Sequence, residues 1–183
     1  MPPNHGRVLM ITGAYPPDVC GVGDYTSRLM AAAPANWELF VERDWSARAA
    51  LGIVKRLLAR RPERVVIQYP TQGYGWSLVP HLLTLVGWLT GRYRTVLALH
   101  EYSSLSRKAQ FALALTSHLT ARIIFTTEVE RDRARKSPLF STRIPTSIIA
   151  ILSNIPWTDD PPPFAARGID VAYFGHIRPN KGL

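Results

Sequence analysis

The chain reads as an α/β protein: a Rossmann-like parallel sheet with helices on both faces. Two observations predict this. Short runs rich in β-branched and apolar residues recur along the chain, and they are apolar on both faces, as strands covered from both sides must be. Between them lie segments with helical spacing, so strand and helix alternate. The composition agrees, because 46% apolar residues in a 183-residue chain suffice for a packed core and exclude a disordered one.

The elements follow in order. Arg7 to Thr12 is the first strand, and a long loop leads from it to a helix that starts at Gly21-Val22-Gly23-Asp24 and continues from Tyr25 to Ala33. Asp24 is a good N-cap residue for that helix. Trp37 to Val41 is the second strand, and Ala47 to Ala59 a helix with Leu51, Val54, Leu57 and Leu58 on one stripe. Val65 to Tyr69 is the third strand, ended by Pro70. Leu78 to Leu89 is a helix apolar nearly all round, which predicts that it is well buried. Thr95 to Leu99 is the fourth strand, Leu105 to Leu119 a helix, Arg122 to Thr126 the fifth strand, Glu128 to Arg135 a short helix, and Ser147 to Leu152 a further strand.

After Leu152 the texture changes. Ser153 to Gly168 carries four prolines without apolar periodicity and reads as a stiff linker. Ile169 to Phe174 reads as a new strand and Gly175 to Lys181 as a new loop. The expected organisation is therefore a Rossmann-like domain over 1–152, a linker over 153–168, and the first strand and loop of a second domain over 169–183. A strand and a loop cannot form a domain, so the sequence is expected to be truncated.

Charge and cysteine content narrow the function classes. A single cysteine, Cys20, excludes an internal disulfide framework and allows a reducing cytoplasm. The longest apolar-rich run, His81 to Thr90, is too short to span a bilayer, and the N-terminus is no secretory signal. Lys and Arg number 22 against 13 acids, a balance that favours polyanionic partners. The basic residues cluster at Arg48 to Arg64 and at Arg131 to Lys136. Neither cluster is interleaved with aromatics, and no zinc-finger or helix-turn-helix spacing accompanies them, so specific nucleic-acid binding is not expected. A solvated basic face or peripheral contact with the inner face of an anionic membrane remains, with Arg56, Arg60 and Arg61 as the residues to test.

In parallel sheets ligands sit beyond the carboxyl ends of the strands, so the loops there are where chemistry is sought. Gly21-Val22-Gly23 places free backbone N–H groups at a helix start, where the dipole adds roughly half a positive charge. The plain alternative is a tight turn. A nicotinamide-binding fingerprint competes, since Glu42 and Asp44 lie about where its ribose-binding acid belongs. Its third glycine position holds Thr26, however, and the loop from Thr12 to Gly21 is too long for it. His100-Glu101 follows the fourth strand, and an imidazole there suits a sugar hydroxyl or a shared proton with a phosphate. Gln68, Tyr69 and Tyr74 on the third loop are candidates to line a sugar or isoprenoid acceptor pocket, or are simple packing. Thr127, Glu128 and Arg131 follow the fifth strand equally well as a capping pattern. No Ser-His-Asp order, Cys-His pair or metal-ligand spacing is evident. On the last loop Arg178 and Lys181 put two cations over a strand end, which suits a diphosphate.

Taken together, Tyr15-Pro16-Pro17, Cys20-Gly21-Val22-Gly23-Asp24-Tyr25, Gln68-Tyr69-Pro70, His100-Glu101 and the segment Gly175 to Gly182 resemble a glycosyltransferase family 4 enzyme. The resemblance covers the whole chain, as the N-terminal domain, linker and first strand of the C-terminal domain of a GT-B architecture. It implies a retaining transfer of a sugar from a nucleotide-sugar donor to a hydroxyl acceptor: a glycan, a lipid-linked molecule or a small molecule. Gly21, Val22 and Gly23 would approach the donor diphosphate, with Arg178 and Lys181 neutralising the leaving group. His100 would be the catalytic-side residue facing the transferred sugar. Tyr15, Asp24, Gln68, Tyr69, Tyr74 and Glu101 would stand on the acceptor side. The nucleotide sugar is a co-substrate, and neither cofactor nor metal is expected. Two departures stand out: Cys20 replaces a first glycine, and His176 stands where many members have an arginine. The family's paired glutamates would lie beyond Leu183, so the chain by itself is expected to be inactive. The remaining readings are a non-catalytic basic module that docks on a membrane or partner, and an NAD-dependent oxidoreductase.

Overall fold

The computed structural model describes residues 6–151 together with the isolated positions Asp159, Pro163, Ala166 and Gly168. Six strands form one sheet: β1 (Val8–Thr12), β2 (Trp37–Val41), β3 (Arg64–Tyr69), β4 (Arg94–Leu99), β5 (Arg122–Phe125) and β6 (Thr146–Ile148). Every pairing is parallel, and the spatial order is β2-β1-β3-β4-β5-β6. The chain moves outward from β1 to β2 and then returns to the other side of β1. The order therefore reverses between β1 and β3, and that crevice is the topological switch point of the sheet. The α/β Rossmann-like expectation holds.

Strand parity divides the core. Leu9, Ile11, Ile67, Leu97, Leu99 and Phe125 face one side. There they meet α2 (Ala50–Ala59) through Ile53 and Leu57, α3 (Val79–Thr90) through Val79 and Leu83, and α4 (Arg107–Ser117) through Leu113 and Ala114. The short α5 (Glu128–Arg135) joins this layer through Ala134. On the other side Val8, Met10, Val66 and Ala98 pack against Leu29 and Met30 of α1 (Gly21–Ala31). Among the described residues the coverage is thus unequal, four helices on one face against one on the other.

Several boundaries differ from expectation for local reasons. Expected from Ala47, α2 starts at Ala50, because Trp45 donates its indole N–H to Glu42 O and Ser46 N donates to Asp44 Oδ1, holding a turn there. Expected from Leu105, α4 starts after Ser106, whose hydroxyl accepts from Ala109 N and caps it. The sixth strand is three residues long, Thr146–Ile148, rather than Ser147 to Leu152, and Leu152 lies outside the described residues. The rest of the 153–168 linker, the stretch from Ile169 expected to be a strand and the loop with His176, Arg178 and Lys181 also lie outside them.

The largest correction concerns α3. Its apolar circumference predicted that it is well buried, yet Leu82, Trp88 and Leu89 are exposed, as are Trp76 and Leu78 just before it. Four apolar positions at helical spacing, Leu78, Leu82, Leu85 and Leu89, run along the side away from Val79 and Leu83. A helix in the outer layer of an α/β sandwich has one covered stripe, whatever its sequence. Among the described residues no helix is long and apolar enough to cross a membrane.

Candidate functional site

Around the switch point the carboxyl ends of β1, β3 and β4 bring three loops together. The loop after β1 is fixed to the loop after β3: Gly13 N donates to Thr71 Oγ1 at 3.0 Å, and the Tyr74 ring lies over Gly13. Gly73 presses its α-carbon side against the Gly13 carbonyl, a space that no side chain can enter. The same principle explains half of the Gly-x-Gly motif. A Cβ on Gly23 would stand 2.8 Å from Ala14 O, so Gly23 is there to let α1 approach the β1 loop. Gly21, by contrast, faces open space.

The helix start itself is bare. Cys20 is the N-cap, in extended conformation and buried, and its side chain makes no capping bond. The first intrahelical bond runs from Asp24 N to Cys20 O at 2.9 Å, so the N–H groups of Gly21, Val22 and Gly23 have no acceptor within the helix. Asp24 is therefore not the cap that its residue type predicted. It sits exposed in the first turn, where a carboxylate interacts favourably with the dipole.

His100 lies one turn of α1 away: the Tyr25 ring meets it edge-on at 5.4 Å. It is 5% exposed, and its backbone is held by Tyr69 O and by the Thr126 hydroxyl. Its Nε2 is 2.6 Å from Gln68 Oε1, while Gln68 Nε2 donates to Met10 Sδ at 3.0 Å. With the amide so oriented, Nε2 carries the proton and Nδ1 is left as an acceptor. That Nδ1 is buried without a partner. Burial pushes the imidazole down to about 4, so it is neutral at pH 7. The expected proton sharing with a phosphate is thereby disfavoured, and accepting a hydrogen bond from a hydroxyl is favoured.

The remaining candidates divide. Gln68 and Tyr69 are buried and serve the interior, Gln68 through His100 and Tyr69 by stacking on Tyr74 with ring centroids 6.0 Å apart. Both are engaged with other buried side chains, the packing alternative expected for this loop. Tyr74 lines a cleft of about 830 Å³ with Trp45, Ser46, Trp76, Leu78 and Leu82. Its hydroxyl is buried without a partner, and burial holds it well above the usual phenol range. Tyr15 is half-buried and Glu101 exposed. The acids of the nicotinamide alternative are engaged internally: Glu42 pairs with Arg56 at 2.7 Å, and Asp44 accepts from Ser46 N. Arg60 pairs with Glu38 and stacks over Phe40, so two of the three arginines proposed for membrane contact are already paired. Thr127 caps α5, with Glu130 N donating to its hydroxyl, and Arg131 pairs with Asp132.

Trp45, Trp76 and Gly73 were missed. The available signal was Gly73-Tyr74-Gly75-Trp76, aromatics alternating with glycines directly after a strand. A scan against protein-family models finds no match for this chain, and a search of curated protein sequences finds none either.

Proposed function

We infer that the chain is the N-terminal, acceptor-side domain of a retaining glycosyltransferase of GT-B architecture that uses a nucleotide-activated sugar. The observation that carries the reading is the buried, unpartnered Nδ1 of a neutral His100, set near the uncapped start of α1 at the switch point. A buried acceptor without a partner costs stability, and a hydroxyl-bearing ligand is the group that would satisfy it. The open N–H groups at Gly21 and Val22 suit the diphosphate beside that hydroxyl. In this reading His100 positions the sugar by accepting from one hydroxyl and takes no proton from solvent. The cleft at Tyr74 and Trp76 receives the acceptor, an aromatic wall suiting a sugar face or an aliphatic chain. Arg178 and Lys181, outside the described residues, neutralise the leaving diphosphate as the C–O bond to the anomeric carbon breaks.

The test is a backbone amide NMR titration of the chain with a panel of nucleoside diphosphate sugars and with NAD. Selective shifts at Gly21, Val22 and the His100 ring with a sugar nucleotide support the reading. Shifts with NAD alone, or none at these positions at millimolar ligand, refute it.

A further inference from the structure

Three helices of the outer layer, α2, α3 and α4, combine two features that soluble surfaces rarely join. The first is apolar exposure. Trp76 is 86% exposed, Leu78 66%, Trp88 59% and Leu89 64%, and Leu82 continues the line between them. They form a ridge the length of α3, with an indole at each end, continued sideways by Leu51 of α2 and by Phe111 and Leu115 of α4. α3 lies between those two helices, so the exposed residues share one side of the molecule. A contiguous apolar surface of this kind marks an interaction site.

The second feature is charge of a single sign. None of α2, α3 and α4 contains an Asp or a Glu, while Lys55, Arg107 and Lys108 lie on these helices and Arg92 just beyond α3, all exposed. This pattern decides the occupant. A second copy of the chain, docked face to face over these helices, would set these cations against their own images, with no acid on the three helices to answer them. An aqueous protein partner does not explain tryptophans at both ends of a leucine ridge. Indoles sit at the headgroup level of a bilayer, leucines reach the acyl boundary, and flanking cations meet anionic headgroups.

We propose that the α3 face, from Trp76 to Leu89, is the surface by which this protein lies on an anionic lipid bilayer, with α3 parallel to the membrane plane. This face differs from the Arg56-Arg60-Arg61 edge, whose first two arginines are paired with Glu42 and Glu38. Trp76, Leu78 and Leu82 at its first end also line the cleft at Tyr74, while Trp88 and Leu89 lie outside that lining.

Co-sedimentation of the chain with phosphatidylcholine vesicles, and with vesicles containing roughly one third phosphatidylglycerol, tests it. The expected result is binding to the anionic vesicles only, weakened by high salt. The variant Trp76→Ser/Trp88→Ser/Leu89→Ser, whose side chains are exposed and whose folding is checked by circular dichroism, should bind at least about tenfold more weakly. The variant Lys55→Glu/Lys108→Glu, which leaves the ridge intact, should lose binding to a similar degree. The proposal is overturned by absence of binding to anionic vesicles, by equal binding to the neutral ones, or by unaltered binding of either variant. It is also overturned if ultracentrifugation shows a dimer that the first variant dissociates, which would assign the ridge to a second copy.

Discussion

Acidification should destabilise this fold through two identified side chains. Burial lowers both His100 and His81 from 6.5 to about 4. His81 lies between α3 and α4, with Nδ1 3.0 Å from the Thr116 hydroxyl and its ring edge-on to Tyr69. In the unfolded chain both imidazoles take a proton near pH 6.5, whereas in the folded chain they resist it down to about 4. Between those values the unfolded state binds more protons, so stability falls as the pH falls, and the loss is complete below the folded value. At pH 5 each site favours the unfolded state by a factor of about 30, or about 2 kcal/mol, so the two together contribute about 4 kcal/mol. Urea unfolding followed by circular dichroism at pH 7 and pH 5, on the unaltered chain and on His100→Gln and His81→Gln, measures this. Each variant carries its own fixed cost from lost packing, but the pH-dependent part should shrink by about 2 kcal/mol per histidine removed. Equal losses in the unaltered chain and in the double variant would refute the claim that burial holds these rings neutral.

Three further outcomes are expected. Gly23→Ala, which drives a methyl to 2.8 Å from Ala14 O, should cost about 1–3 kcal/mol in urea unfolding, while Gly21→Ala, into open space, should change stability by less than about 1 kcal/mol. Gly73→Ala has no room beside the Gly13 carbonyl and should cost more than Gly23→Ala, read as a lower thermal midpoint or a failure to fold. Thr127→Ala removes the cap of α5 and should cost about 1 kcal/mol, and Glu42→Gln, which breaks an exposed pair with Arg56, should cost at most about 1 kcal/mol, both read in the same unfolding assay.

How far the sequence reveals this structure depends on which force sets each feature. The strands are legible because a strand buried on both faces must be apolar throughout, and Val8–Thr12, Trp37–Val41 and Arg64–Tyr69 match expectation to within a residue. Helix starts are less so where a side chain redirects the backbone, as Asp44 does before α2. Asp24 misleads because capping preference is a property of residue type, whereas the register of α1 is set by Gly23 fitting against Ala14. The meeting of Gln68 with His100 follows from strand register, since Gln68 pairs with Ala98 and both lie on the α1 side of the sheet. The exposed ridge of α3 is invisible to periodicity, because a helix apolar all round does not say which stripe its neighbours cover.

The junction of Gly13 with Thr71, Gly73 and Tyr74 has a consequence for engineering. Two crest loops are clamped to each other by a hydrogen bond, a glycine with no clearance and a buried ring. A library that randomises these positions would return mostly misfolded clones. The exposed stretches on either side, Pro16 to Val19 and Gly75 to Trp76, carry no such clamp. New ligand preferences are best sought by grafting there, with the clamped pair kept as the fixed post between two replaceable walls.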